Sequence, residues 1–363
     1  MQIRPLVDTK LLGNHGHDVE VVSAAHRVYE HLISLWAPGV IEAAHDLGVF
    51  TLLAEGPADA PSVAQALGTD LEATEVLLEG LYAYDLLGRV PADGWAIYTL
   101  PDPVRDCLLP DGLYSLAGKV RYDREMAWGA WRNFADAVRN GKRGTDGTER
   151  VNQISAEEYS SLVRGINFWA PPVVERLARE IRQHGWPTLR SSSMIDIGCG
   201  SGLYSHLMLQ RFPQLTAVGV DVPSILGIAT EHAQRLGVQD RFAARPGDFA
   251  TDDFGSDYDL ALLVNIYHLQ SNDSARDLTM RVAKLVSDDG LVAIVDHIID
   301  DSRGGPDSTH NRFFRLFAAS MLATGGGNAY TLADYDGWLE HAGLHRVSLV
   351  ETPMHRILLA KRS

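Results

Sequence analysis

The sequence predicts an α/β protein: a parallel, doubly wound sheet in the C-terminal half behind a mostly helical front domain with the element order of a winged helix. Three observations carry this. From about residue 190 onward, short apolar runs alternate with helical patterns, which is how parallel sheets covered on both faces read. The first of these runs ends in glycines at alternate positions, Gly198, Gly200 and Gly202. From about residue 20 to 190, apolar residues recur at spacings of three and four, the helical period. The domain boundary is expected near Gly185 and Pro187, giving residues 1–187 and 188–363. A chain of 363 residues, 45% hydrophobic and 22% charged, has ample material for two cores.

The front elements follow in order. "AAHRVYEHLISLWAPGVIEAAHDLGVFTLLAEG" is helical and punctuated by Gly48 and Gly56. "PSVAQALG" is a short helix with Ser62 as the expected N-cap. "DLEATEVLLEGLYAYDLLGRV" is a longer helix opened by Asp70 and closed near Gly88. "GWAIYTL" alternates like a strand. This order suggests DNA binding, but the charges oppose it. Between Ile41 and Pro110 stand 12 acids and two bases, Arg89 and Arg105. A recognition helix bearing Glu72, Glu75 and Glu79 would be repelled by phosphate, so the module is expected to serve packing or dimerisation rather than gene regulation. Leu32, Leu35 and Trp36 on the first helices point to a homodimer. Aromatic helices ("YDREMAWGAWRNFADAV"), a polar loop ("NGKRGTDGTER") and a helix interrupted at Pro171 and Pro172 complete the front.

The expected strands of the second half are "SMIDIG", "LTAVGVDV", "RFAARPGD", "YDLALLVNIYH" and "GLVAIVDHII", then the late pieces "HRVSLVET" and "RILLAKR". Between them lie the helices "YSHLMLQRF", "ILGIATEHAQRLG", "SARDLTMRVAKLV" and "TLADYDGWLEHAG". The net charge is −15, from 47 acids against 32 bases, which disfavours nucleic acid and anionic membrane as partners. Cys107 and Cys199 suggest no disulfide framework. The N-terminal stretch has no apolar signal core and no run is long enough to cross a bilayer. A cytoplasmic location is the expectation.

In doubly wound sheets, ligands bind at the carboxyl ends of the strands where strand order reverses. Glycines after the first strand let a ligand approach the backbone, and the next helix offers free N–H groups. Asp221 ends the second strand, the expected place for an acid that accepts hydrogen bonds from a ribose diol. The spacing Gly-x-Gly-x-Gly departs from the dinucleotide fingerprint, whose third glycine would fall at Leu203.

"IDIGCGSG", Asp221, "GDF" and a histidine after the fourth strand resemble the S-adenosylmethionine-dependent methyltransferases, with their Rossmann-like sheet. The helical front is similar to that of the small-molecule O-methyltransferases of plant phenolic (caffeic-acid type) and bacterial antibiotic pathways. The resemblance covers nearly the whole chain from about residue 20. It implies S-adenosylmethionine as cofactor and S-adenosylhomocysteine as product. It implies that Asp196, Gly198, Gly200 and Gly202 bind the cofactor, the glycines at its methionine part. Asp221 would hold the ribose, Asp248 and Phe249 would flank the adenine, and Asn265 would lie nearby. The front domain would serve dimerisation and cover the acceptor.

Methyl transfer requires aligning a nucleophile and removing its proton. His268, just past the fourth strand, is where the resembling family places its general base. The chain departs from that pattern: His268-Leu269-Gln270 replaces His-Asp-Trp, Asp296 replaces a glutamate, and a second glutamate falls at Ala329. Asp296 then either orients His268 alone or is structural. The expected acceptor is a small, aromatic hydroxylated metabolite, held by Trp128, Trp131, Phe168, Trp169, Phe314, Phe317 and Met321. An alternative is carbon methylation of an aromatic ring or an enolisable α-keto acid, with or without a metal held by His268, His297 and His310.

Overall fold

The computed structural model describes residues 19–141, 156–186, 191–325 and 327–363. Most of the polar loop that begins at Asn140, and the expected junction at Pro187, lie outside them. The chain forms two compact units, Met1–Gly112 and Leu113–Ser363. The helices of residues 113–186 therefore fold with the sheet, and not with the front domain as the sequence had grouped them.

In the first unit, helices Val19–Ile33, Trp36–Leu47, Val49–Glu55, Ala60–Leu67 and Leu71–Ala83 are followed by Asp102–Leu108. Three short strands, β1 (Ala58–Asp59), β2 (Gly88–Val90) and β3 (Ile97–Thr99), pair antiparallel in the order β1-β3-β2. Gly48, at φ 83°, breaks the second helix from the third. Asp59 and not Ser62 caps the short helix: the Ser62 N–H donates to Asp59 Oδ1 at 2.9 Å. Asp70 caps the longer one through Ala73 N–H at 2.9 Å. Val49, Phe50, Leu53, Val63, Leu78, Leu81 and Tyr98 form the core. Both bases of the acidic stretch face acids, Arg89 against Glu79 at 2.6 Å and Arg105 against Asp106 at 3.3 Å.

The second unit holds a seven-stranded sheet: β4 (Ser192–Ile197), β5 (Leu215–Asp221), β6 (Phe242–Pro246), β7 (Tyr258–Val264), β8 (Val286–Asp296), β9 (Leu344–Glu351) and β10 (Arg356–Arg362). The order is β6-β5-β4-β7-β8-β10-β9. The first five run parallel. Only β10 departs from the expected parallel arrangement: it pairs antiparallel with both β8 and β9, so β9 keeps the direction of the first five. Four residues join β9 to β10, far fewer than a parallel crossover needs.

Side chains alternate across the central strands. Ile195, Ala261, Leu263, Val292 and Ile294 pack into one core, and Met194, Leu260, Leu262, Ala293 and Val295 into the other. This two-faced burial explains the near-continuous apolar strands. Helices Asn272–Leu285 and Leu332–His341 cover the first face, and Ala170–Gln183 and Leu203–Arg211 the second. The direction of strand succession reverses between β4 and β7, so a crevice opens at their carboxyl ends.

The preceding helical segment closes over that crevice. Helices Ala117–Tyr122 and Ala156–Gly165 cross at glycines. A Cβ on Gly118 would stand 2.1 Å from Ser161 O, and one on Gly165 2.2 Å from Lys119 N. Asp123–Ala127 forms one π-helical turn before helix Trp128–Arg132. Pro171 and Pro172 occupy the first turn of helix Ala170–Gln183, where their missing N–H groups cost nothing.

Candidate active site

A cavity of about 260 Å³ lies at the ends of β4 and β7, entirely within the second unit. Its walls come from the glycine turn, from the segment after β7, from the helices of residues 117–169 and from helix Thr309–Thr324. On that last helix Phe317, Ser320, Met321 and Thr324 line the space, the spacing of one helical face.

The glycine wall is built from backbone. Gly198, Gly200 and Gly202 all have left-handed φ, at 68°, 55° and 71°, a conformation costly for residues with a Cβ. Space is limiting as well: a Cβ on Gly202 would lie 2.5 Å from His206 Cε1 and 3.1 Å from Ala229 Cβ. Asp221 braces the turn, accepting from Gly200 N–H at 2.8 Å and from Val222 N–H at 2.7 Å through different oxygens. Burial raises the Asp221 carboxyl, and these two N–H groups pull it back. Asp196, fully buried and bonded by Ser205, is pushed up to about 7 by burial. Ser201 donates to Asn167 Oδ1 at 2.6 Å, and Asn167 Nδ2 donates to Leu113 O at 3.1 Å. The turn is thereby tied to the helical segment.

The opposite wall is built from side chains. His268 lines the cavity, and its Nδ1 is 2.8 Å from Asp296 Oδ1. Asp296 also accepts the His268 N–H at 3.2 Å and the His297 N–H at 2.8 Å. Burial resists its charge, but the His268 and His297 rings hold the carboxyl well below the usual range. His297 Nδ1 lies 3.3 Å from the same Oδ1, and its ring stacks on Phe317 at 3.7 Å. Burial lowers its basicity despite Asp296. One donor atom from each of His268, Asp296 and His297 falls within 4.8 Å of the others.

The structure gathers some of the expected residues and disperses others. Asp196, Gly198, Gly200, Asn265, His268, Trp131, Trp169, Phe317 and Met321 line the cavity. Gly202 and Asp221 stand directly behind the turn. Asp248 is exposed and Phe249 half-buried after β6, outside the wall of this cavity, with Phe249 O accepting from Arg281 at 2.7 Å. Trp128 does not line it: Ala127 and Trp131, one turn apart, present the facing side. Phe168 is 38% exposed and also lies off the wall, next to Trp169, which is on it. Phe314 is fully buried beneath the Arg356 guanidinium. His310 does not join the histidine cluster; its Nε2 meets Thr352 O at 2.6 Å.

The sequence reading missed several lining residues: Lys119, Asp123, Tyr159, Asn167, Ser201 and Tyr204. Lys119 and Asp123 form an ion pair at helical spacing, a signal that was available. Tyr159 is half-buried, and its phenol is pushed up, first by burial and then by Asp221 and Cys199. The Tyr204 hydroxyl and the Trp169 indole N–H are buried without a partner among the described residues.

Two family models match this chain. A model for an O-methyltransferase domain covers residues 172–345, and one for an O-methyltransferase dimerisation domain covers residues 29–105. The chain is 28% identical to the 3-hydroxy-5-methyl-1-naphthoate 3-O-methyltransferase of Streptomyces sahachiroi, over 87% of this chain and 88% of that one. It is 25% identical to a mitomycin biosynthesis 6-O-methyltransferase of Streptomyces lavendulae, over 89% of each. The crystal structure of human N-acetylserotonin methyltransferase in complex with S-adenosylmethionine superposes with a TM-score of 0.77 at 22% identity, covering 97% of this chain and 99% of that one. That likeness shows the fold.

Proposed function

The chain belongs to the O-methyltransferase family, and on that premise we propose that it transfers a methyl group from S-adenosylmethionine to a hydroxyl of a small aromatic metabolite. We infer further that His268 is its general base and that the acceptor belongs to antibiotic-type secondary metabolism. The naphthoate and mitomycin enzymes among its relatives support the last point.

The residues present fit the cofactor. Gly198 and Gly200 both line the cavity and carry no side chain of their own, so a ligand can lie against the main chain of the turn. Asp221 spends one lone pair of each oxygen on the turn, leaving capacity for a diol. The unpartnered Tyr204 hydroxyl and Trp169 N–H supply polar contacts a ligand would satisfy. Asp196, Gly198, Gly200 and Asp221 would hold the nucleoside and amino-acid parts, with Asp248 and Phe249 towards the base. When bound, S-adenosylmethionine supplies a methyl group already activated by the sulfonium charge.

The chain's own part is alignment and proton removal. Asp296 takes the Nδ1–H of His268, which leaves the lone pair on Nε2. A phenol, with a pKa near 10, loses its proton to such a nitrogen as the new bond forms. Trp131, Trp169, Phe317 and Met321 exclude water and hold a flat ring. The observation that carries the reading is this oriented imidazole in the same cavity as the glycine turn. The exposed Leu32, Leu35 and Trp36, at 62%, 56% and 51%, lie within or beside the matched dimerisation domain, and we take the working form to be a homodimer.

His268→Ala should leave S-adenosylhomocysteine binding intact by calorimetry and lower turnover about 10²–10⁴-fold. Unchanged turnover removes His268 from the mechanism. A panel of phenols, with product NMR showing a methoxy signal, tests the acceptor class.

The trio His268, Asp296 and His297 supports a second reading, a bound divalent metal that chelates an enolised keto acid or catechol for carbon methylation. Metal-free protein whose activity ignores chelators dismisses it.

A further inference from the structure

One buried histidine has no part in the chemistry above. His355 stands in the four-residue turn between β9 and β10 and is 1% exposed. Thr352 pins it: the His355 N–H donates to Thr352 Oγ1 at 3.1 Å, and its carbonyl accepts from Thr352 N–H at 2.9 Å. Trp169 and His297 pack on the ring at 5.0 and 4.8 Å. So held, His355 Nε2 reaches Asn265 Oδ1 at 2.9 Å across 90 residues of sequence.

Asn265 is itself constrained. It follows β7 directly, with a left-handed φ of 60°, tolerated by asparagine better than by most residues. Its N–H is fixed to Val295 O at 2.9 Å. The next residue, Ile266, fills the space beside Gly198. Asn265 therefore lines the cavity between the glycine turn and His268. A carboxamide oxygen only accepts, so the His355 Nε2 carries the proton and the Asn265 oxygen is used. The NH2 group makes no other hydrogen bond among the described residues.

We propose that His355 is a positioning residue that locks the Asn265 carboxamide with its NH2 towards the cavity, where it binds an oxygen of the bound ligand. The oxygen belongs either to the carboxylate of the cofactor or to the acceptor; both offer the same chemistry. Burial keeps the His355 ring neutral, so the lock adds no charge beside the sulfonium site. The antiparallel hairpin at the sheet edge thus acts on the site it adjoins.

The inference rests on the methyltransferase reading for what fills the cavity. Its test uses the full chain, S-adenosylhomocysteine calorimetry and steady-state kinetics. His355→Leu should weaken either the S-adenosylhomocysteine Kd or the acceptor KM about tenfold, the loss of one hydrogen bond to a ligand, while kcat moves little. The parameter that shifts tells which oxygen is held. His355→Gln, which keeps a donor, should restore most of it. Asn265→Asp keeps the acceptor for His355 but removes the NH2, and should lose as much as His355→Leu. In an Asn265→Ala background, His355→Leu should add nothing. Unmoved Kd and KM in a folded His355→Leu protein, or additive losses in the double variant, overturn the inference. Unaltered protein that binds no S-adenosylhomocysteine overturns the methyltransferase reading and the inference with it.

Discussion

The two walls of the cavity are made of different materials. One is backbone: three left-handed glycines within five residues, braced by Asp221 from the next strand. The other is side chain: His268 on the wall, with Asp296 and His297 buried behind it and His355, in the hairpin, packed on His297. The first wall gives shape and N–H groups to whatever lies against it. The second gives a proton acceptor and its orientation. Binding and chemistry should therefore separate under mutation.

The sharpest test of that separation is Asp296→Asn. It replaces the carboxylate that fixes the His268 tautomer with a neutral amide that can also donate, and turnover should fall on the order of 10²-fold while S-adenosylhomocysteine calorimetry stays unchanged. A matching loss of affinity would mean that the two walls are one unit.

The next effect concerns pH. His206 lies beneath the glycine turn with both ring nitrogens unpartnered, and burial, helped by His232, lowers its pKa to about 3. As pH falls, the unfolded chain takes up this proton first, near 6.5. The stability that depends on a neutral His206 is thus whole above about pH 6.5 and drains away towards pH 3. It changes by at most about 1.4 kcal/mol per pH unit. His206→Phe should flatten the acid limb of a plot of unfolding free energy against pH. An unaltered slope would show that His206 is not the group responsible.

Gly202→Ala should cost roughly 1–2 kcal/mol from the left-handed backbone alone, read as a lower melting temperature, and should weaken S-adenosylhomocysteine binding. His310→Ala marks the zero of the series. Its ring bonds Thr352 O and stands outside the cluster, so turnover should be unchanged, and a large loss would revive the three-histidine metal site.

The same division governs what could be read in advance. The glycine turn and Asp221 were legible because backbone geometry restricts the residue types that can make it, and the spacing is local. The family resemblance names Asp296 beside His268, as either its orienting acid or a structural one; the structure puts its Oδ1 2.8 Å from His268 Nδ1. Trp128 and Phe168 were misplaced because facing depends on helical phase, and here a π turn at Asp123–Ala127 and a 3₁₀ turn at Asn167–Trp169 shift it. Arg356 reads as an ordinary cation at a strand start. It is wholly buried instead, bonded to Glu351, Asn311 and Ile298 O. That environment and the His355–Asn265 bond join residues far apart in sequence, which no short window reveals.

Among the described residues, every lining side chain falls between Lys119 and Thr324, after the division at Gly112. Inheritance can therefore treat the leading segment as a separate ledger. If copies pair through that segment and a small acceptor enters the cavity, as proposed, lineages can remodel pairing by changing residues before that point and retune the acceptor by changing residues after it.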